Sequence, residues 1–375
     1  MSVNPDYEYI YEYEYDENFT IPQYYDEDRE LELIILISDL FNWVETAKFV
    51  ISIIALILNI PHFIVLAHRE MRNSSVNIIM IGVAFCDILI MAQSVYQYIT
   101  DITDKNPCNL SESYPKVLIT LISQMLVSNF LRVSPWLGLM TSLIRLLVIS
   151  FPFNSSISGL SKRRAGVKVL ITVLLISSLI SLFNYSKLAI VKDGRWYPPK
   201  TCSFPKDYYE IQYTTVVGRK IFFSSSTDNR IEFLIKGASN VIPAICYPVL
   251  AVLLVLRFWK IKKKRRGVRN DHKSQNTTML VILMTITFSL SQLPFGITFW
   301  LQLYYQNNPV ISYLLEYETV FNTILFTINA VFHVFVFIVM SSQYRSVAKG
   351  IFICCAERNN QNLKDDVYFF TSKGS

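Results

Sequence analysis

The sequence predicts an all-α fold, a bundle of seven membrane-crossing helices followed by a short amphipathic eighth, and three observations lead there. Apolar residues make up 52% of the 375-residue chain, more than one soluble core of ordinary composition accommodates. They are also clustered, in blocks near 42–67, 75–98, 117–150, 167–190, 231–258, 277–303 and 314–340. Each block is long enough to cross a hydrocarbon layer about 30 Å thick. Backbone amides in hydrocarbon need internal partners, so the blocks must be helices. Finally, basic residues collect in alternate connections: Arg69 and Arg72 in the first, Lys162, Arg163, Arg164 and Lys168 in the third, and the run from Lys260 to Arg269 in the fifth. That bias marks the cytoplasmic side and places the amino terminus outside. The connection before the fifth block is also basic, but it is long, where charge steers topology less. The net charge of +6 therefore suits an anionic inner leaflet and not nucleic acid.

This divides the chain into an outer acidic tail (1–41), the bundle (42–340) and an inner helix and tail (341–375). Residues 1–31 hold ten acidic residues, one arginine and seven tyrosines, too little aliphatic content to fold alone. The segment reads as a solvating tail or, with its tyrosines sulfated, as an attractor of a cationic ligand. It contains no apolar run, so the first helix is expected to act as the insertion signal. Asn18 and Asn109 stand in glycosylation sequons on the outer side. Asn73, Asn154 and Asn276 also occupy sequons but fall on inner connections.

The first helix carries Asn59, an amide expected to link neighbouring helices, then Pro61 and His62. The second carries Asp87 near mid-membrane, where a carboxylate must be protonated, paired or facing water. The third contains two arginines. Arg145, near the inner end with no acidic neighbour, either snorkels to the interface or serves a function; Pro152 ends its helix seven residues on. Arg132, a little outside mid-membrane, either binds a ligand carboxylate or backbone carbonyls, or forms an internal ion pair. Pro243 and Pro248 bend the fifth helix and Pro294 kinks the sixth. After Met340, Val347, Ile351 and Phe352 recur at helical spacing opposite Arg345 and Lys349, as in a helix lying on the inner leaflet. Cys354 and Cys355 follow it as palmitoylation candidates.

Asn59, the Asn77 to Asp87 spacing, Arg145 with Pro152, Pro243 and Pro294 resemble the landmarks of rhodopsin-like G-protein-coupled receptors. The stretches HREMRNSSVN, PWLGLMTSLIR, SQLPFG and NAVFHVFVFIVMSSQYR are similar to one branch, the nematode serpentine receptors of class W, relatives of FMRFamide-type and myosuppressin-type peptide receptors. The resemblance covers every helix except a poorly marked fourth. It implies a sodium-binding polar cluster of Asp87, Ser134 and Asn329, with Asn59 bridging nearby. It also implies an activation role for Arg145, Pro152, Gln292, Pro294 and His333. Cys108 and Cys202, alone among six cysteines in lying outside, are expected to form a disulfide that tethers the long loop over the ligand mouth.

Several positions depart from the wider family. Ile144 replaces the acid that restrains Arg145 at rest, which predicts raised basal activity, lowered again in Ile144→Asp. Gln292 stands at the aromatic toggle, and the fourth helix lacks its usual tryptophan. His333 to Phe337 replace the motif that ends in tyrosine, and His333 is placed to substitute its own protonated ring for sodium. The candidate ligand-pocket residues are Arg132, Gln97, Gln124, Glu232 and Glu318. Asp101, Asp104, Glu232, Glu316 and Glu318 are placed to ring the entrance and suit an Arg-containing peptide.

The expected function is a plasma-membrane receptor that takes an outer ligand and signals through a heterotrimeric G protein, the ligand being an FMRFamide-like neuropeptide or, alternatively, an environmental small molecule. An enzyme is disfavoured, because His62, His68, His272 and His333 are scattered without metal-ligand spacing and no nucleophile motif occurs. No metal beyond sodium is expected. A transporter would show repeats or broken helices, and a light receptor a lysine in 314–340.

Overall fold

The structure, a computed structural model, describes residues 27–106, 108–109, 112–205, 207–217, 225–264, 272–304 and 318–352. Seven long helices dominate it: α1 (Glu27–Ala67), α2 (Ser75–Asp104), α3 (Tyr114–Ser150), α4 (Arg163–Tyr185), α5 (Ser225–Lys264), α6 (His272–Tyr304) and α7 (Glu318–Met340). Each contains a stretch long and apolar enough to cross a membrane, seven in all among the described residues. Helix is the only way these segments satisfy their backbone in hydrocarbon. Pro61, Pro135, Pro243, Pro248 and Pro294 all lie inside helices.

The boundaries follow local chemistry. Ser74 caps α2 by accepting from the Asn77 amide at 3.4 Å, and the Asn77 side chain donates to the Met71 carbonyl at 2.7 Å. α3 ends at Ser150, with Phe151 as its cap and Pro152 just beyond. In the turn that follows, the Asn154 side chain accepts from the backbone of Ser156 and Ile157, starting a single helical turn. A break at Ser341 separates α7 from a further helix over residues 342–352. Arg345 donates to the Ile338 and Val339 carbonyls at 3.0 and 2.7 Å, satisfying acceptors that the end of α7 leaves open.

Two boundaries correct the sequence reading. α1 begins at Glu27, so residues 27–41 of the expected tail are helical, while the apolar span inside α1 starts at Leu40. α4 stops at Tyr185, not near residue 190, because the chain there enters a strand. The long connection before α5 is also not plain loop. β1 (Leu188–Trp196) pairs antiparallel with β2 (Glu210–Val217), from Leu188 opposite Val217 to Trp196 opposite Glu210. A bulge between Lys192 and Arg195 contains Gly194 at φ 99°, a conformation that favours glycine.

Cys108 and Cys202 form the expected disulfide. With the bond from the Tyr213 amide to the Glu112 carbonyl at 2.8 Å, it straps the hairpin to the α2–α3 connection. This face is called the hairpin end below; Arg145 marks the opposite one.

α3 is the hub, packing against α2, α4, α5 and α6. The largest core cluster joins Val133, Leu137 and Ile144 of α3 to Tyr247, Leu254, Phe288 and Phe337. α4 is held by small residues: a Cβ added at Gly166 would meet the Ser75 carbonyl at 2.6 Å, so only glycine permits that approach. Its outer face, with Leu175, Leu179 and Leu182 exposed, suits hydrocarbon, as does that of α5 with Ile245, Val249 and Val252.

Candidate functional site

Three sites share the bundle, and α3 runs past all of them. At the hairpin end lies a cavity of about 560 Å³ lined by residues from all seven helices. Arg132, Gln97 and Gln124, expected there from the sequence, all line it. The side chains of Glu232 and Glu318 lie outside the described residues, as do Glu316, Asn18 and the palmitoylation candidates Cys354 and Cys355.

Arg132, for which the sequence leaves a ligand contact or an internal ion pair open, lies in the cavity wall. It has no carboxylate partner among the described residues. Its Nη1 instead donates to the Ser177 carbonyl at 3.1 Å, the Ser177 hydroxyl at 3.4 Å and the Ser181 hydroxyl at 3.1 Å. Ser177 in turn donates to the Asn129 carbonyl at 3.2 Å. The guanidinium is thus braced from α4 by neutral acceptors.

The cavity holds a second cation that sequence reasoning missed. Lys48 is only 5% exposed and pairs with Glu45 at 3.2 Å. The signal was available as two opposite charges, three residues apart, at the start of an apolar run. Two amides are also poorly satisfied there: Nε2 of the buried Gln292 and Oδ1 of Asn184 have no hydrogen-bond partner among the described residues. Gln292, expected as a toggle on activation, therefore sits in the cavity wall.

Nearer mid-bundle, Ser134 donates to Asp87 Oδ1 at 3.1 Å, and His333 Nδ1 stands 4.0 Å from Asp87 Oδ2. All three residues are buried, and the imidazole packs on the Phe288 ring at 4.4 Å. Asn329 is buried with its Oδ1 unpartnered among the described residues. Asn59 donates to the Ala55 carbonyl of its own helix at 2.9 Å and to the Met91 sulfur of α2 at 3.9 Å, leaving its buried Oδ1 without a partner among the described residues. The arrangement is a carboxylate with a ring nitrogen as neighbour.

Contacts of α3 pin α5 and α6 from mid-bundle towards the opposite end. Tyr247 donates to the Pro135 carbonyl at 2.6 Å and stacks on Phe288 at 5.3 Å, and the Ser142 and Thr285 hydroxyls lie 2.7 Å apart. Arg145 makes no hydrogen bond or ion pair among the described residues, and its buried Nε is unsatisfied. The neighbouring Ile144 is buried at 5% exposure in the main core cluster, so an aspartate there would be buried beside the guanidinium. Phe153, just past Pro152, is fully exposed.

Where the wider pattern ends α7 in tyrosine, the buried Phe337 packs against His62 at 5.2 Å and Tyr344 at 5.7 Å. Tyr344, from the helix over 342–352, brings its hydroxyl 3.0 Å from His62 Nδ1. Burial pushes that phenol up to about 12, so it stays protonated. A tyrosine hydroxyl therefore does reach this end of the bundle, from the following helix.

No curated protein matches the chain. The profile of one family, described as "Serpentine type 7TM GPCR chemoreceptor Srw", matches residues 46–355. That span runs from the first turn of the α1 crossing past the helix over 342–352, so the chain belongs to the Srw family of serpentine seven-transmembrane chemoreceptors.

Proposed function

We propose that the chain is a ligand-activated receptor for an environmental small molecule, acting on a heterotrimeric G protein at its Arg145 end. The hairpin end faces outward in this reading, as the basic connections on the other side require. The observation that carries it is the cavity: seven helices converge on about 560 Å³, a volume in the ordinary small-molecule range. Ligand bound there needs only a preference for the arrangement in which α6 stands away from α3, since binding shifts populations by differential affinity. Movement of α6 would part Thr285 from Ser142 and uncover Arg145 beside the exposed Phe153.

The neuropeptide reading rests on the resemblance to FMRFamide-type receptors and on acids expected at the entrance, whereas the matched family is one of chemoreceptors. Asp104, one of those acids, is held by Lys116 at 2.8 Å.

The test is expression in cells carrying a set of Gα reporters, challenged with an odorant panel and an amidated-peptide panel. The expected outcome is a response to small molecules, lost in Arg145→Ala at unchanged surface expression. Responses to peptides alone would reverse the ligand assignment. Absence of any basal or ligand-driven exchange on every Gα would remove the receptor reading.

A further inference from the structure

We infer that the cavity selects organic monocarboxylates, with Arg132 and Gln292 as the subsite for the carboxylate; this rests on the small-molecule reading above.

Charge balance is the first ground. The described charged residues lining the cavity are Glu45, Lys48 and Arg132. Glu45 and Lys48 pair at 3.2 Å, and Arg132 has no carboxylate partner among the described residues. A guanidinium does not shed its proton, so Arg132 presents a fixed positive charge to the cavity. The neutral acceptors on α4 occupy only Nη1. They fix the plane of the fork while leaving Nε and Nη2, the donors that meet a carboxylate edge in pairs.

The second ground is independent of charge. Gln292, 3% exposed and across the cavity on α6, presents an Nε2 with no acceptor among the described residues. A buried donor left unpaired is unfavourable, and both unsatisfied groups demand the same thing, an oxygen acceptor from the occupant. One cation with one amide matches a monoanion; a phosphate dianion would leave negative charge buried. Ile90, Val127, Leu131 and Phe295 give part of the wall an apolar surface for the hydrocarbon part of an acid, beside polar residues such as Ser94 and Ser128. A cationic ligand would be repelled by Arg132, and an amidated one would offer a neutral carbonyl in place of a charge-assisted pair.

The test uses butyrate, hexanoate, octanoate and benzoate, with the methyl ester, primary amide and amine of each skeleton as counterparts. Two readouts are taken: protection of the purified full chain in lipid nanodiscs against thermal unfolding, and nucleotide exchange on added G protein. At least one carboxylate should protect while its ester, amide and amine do not. Arg132→Gln should weaken that protection by about ten- to a hundredfold, the loss of a charge-assisted pair. Arg132→Lys should weaken it less, and Gln292→Leu several-fold. Should Arg132→Gln not fold, the Lys and Gln292 variants decide the matter. Protection by esters, amides or amines equal to that by the acids overturns the subsite; so does protection by no acid, or by an acid that Arg132→Gln and Gln292→Leu bind as well as wild type. A carboxylate that protects the chain yet drives no exchange sinks the receptor reading and leaves the subsite standing. Exchange driven only by neutral or cationic compounds does the reverse.

Discussion

Lys48 and Arg132 border the same cavity and meet burial in opposite ways. Lys48, 5% exposed, has a carboxylate one helical turn away on its own helix, so its charge is balanced before anything binds. Among the described residues Arg132 has only neutral acceptors, which direct its charge without cancelling it. The difference predicts different consequences of mutation. Glu45→Gln removes the hydrogen-bonded partner of Lys48 and leaves it the Asp101 carboxylate at longer range, so it should lower stability by about 1 kcal/mol. Thermal unfolding of the purified variant in nanodiscs checks this; a midpoint equal to wild type would show that water already screens the pair. Sequence inspection found Arg132 because an arginine deep in an apolar run is conspicuous, and missed Lys48 because a charge near the end of a span reads as interfacial. Asn59 divides its amide between the carbonyl four residues back on its own helix and the Met91 sulfur of α2, so a buried amide links helices while still satisfying itself locally.

The seven helices were legible because bilayer thickness fixes their length. The predicted block of 75–98 and the observed Ser75–Asp104 share a start, where Ser74 caps the helix. Their ends differ, because the last turns of α2 leave hydrocarbon and hydropathy no longer marks them. The hairpin was not legible in the same way. Leu188–Val191 and Ile211–Val217 are rich in β-branched residues, a strand signal, but a long basic connection drew attention to charge instead. The Cys108–Cys202 bridge could be expected from compartment alone, whereas the pairing of β1 with β2 that it anchors could not. Replacing both cysteines by alanine should destabilise the chain by about 2–4 kcal/mol, as a lower unfolding midpoint. The hairpin should retain part of its order, because the bond from Tyr213 to Glu112 and the β1–β2 ladder remain. Hydrogen exchange at Tyr213 reads this directly: full loss of protection in the double variant would show that the bridge alone holds the strap.

At the scale of the whole molecule, the route between the two ends is the packing of α3 on α5 and α6, and its tightest point is Gly138. A Cβ there would lie 2.4 Å from the Tyr247 hydroxyl and 2.7 Å from the Phe288 ring, closer than real contacts allow. Tyr247 is committed to the Pro135 carbonyl and Phe288 to the His333 ring, so neither moves aside without giving up a buried contact. Gly138→Ala therefore strains the packed arrangement by about 1–3 kcal/mol. Moving α6 away from α3 removes Phe288 from the clash, so the open arrangement bears less of that strain. If half or more of the strain is relieved, the ratio of open to packed molecules rises by about 2- to 150-fold, and basal signalling rises with it. Nucleotide exchange on a purified G protein, without ligand and at matched receptor amounts, measures the effect. A basal rate at or below wild type, from a variant that still reaches the surface, would mean that α6 does not leave α3 in the active state and that the cavity communicates with Arg145 by another path. A raised rate would place Gly138, a residue that touches neither site, on the mechanical link between them.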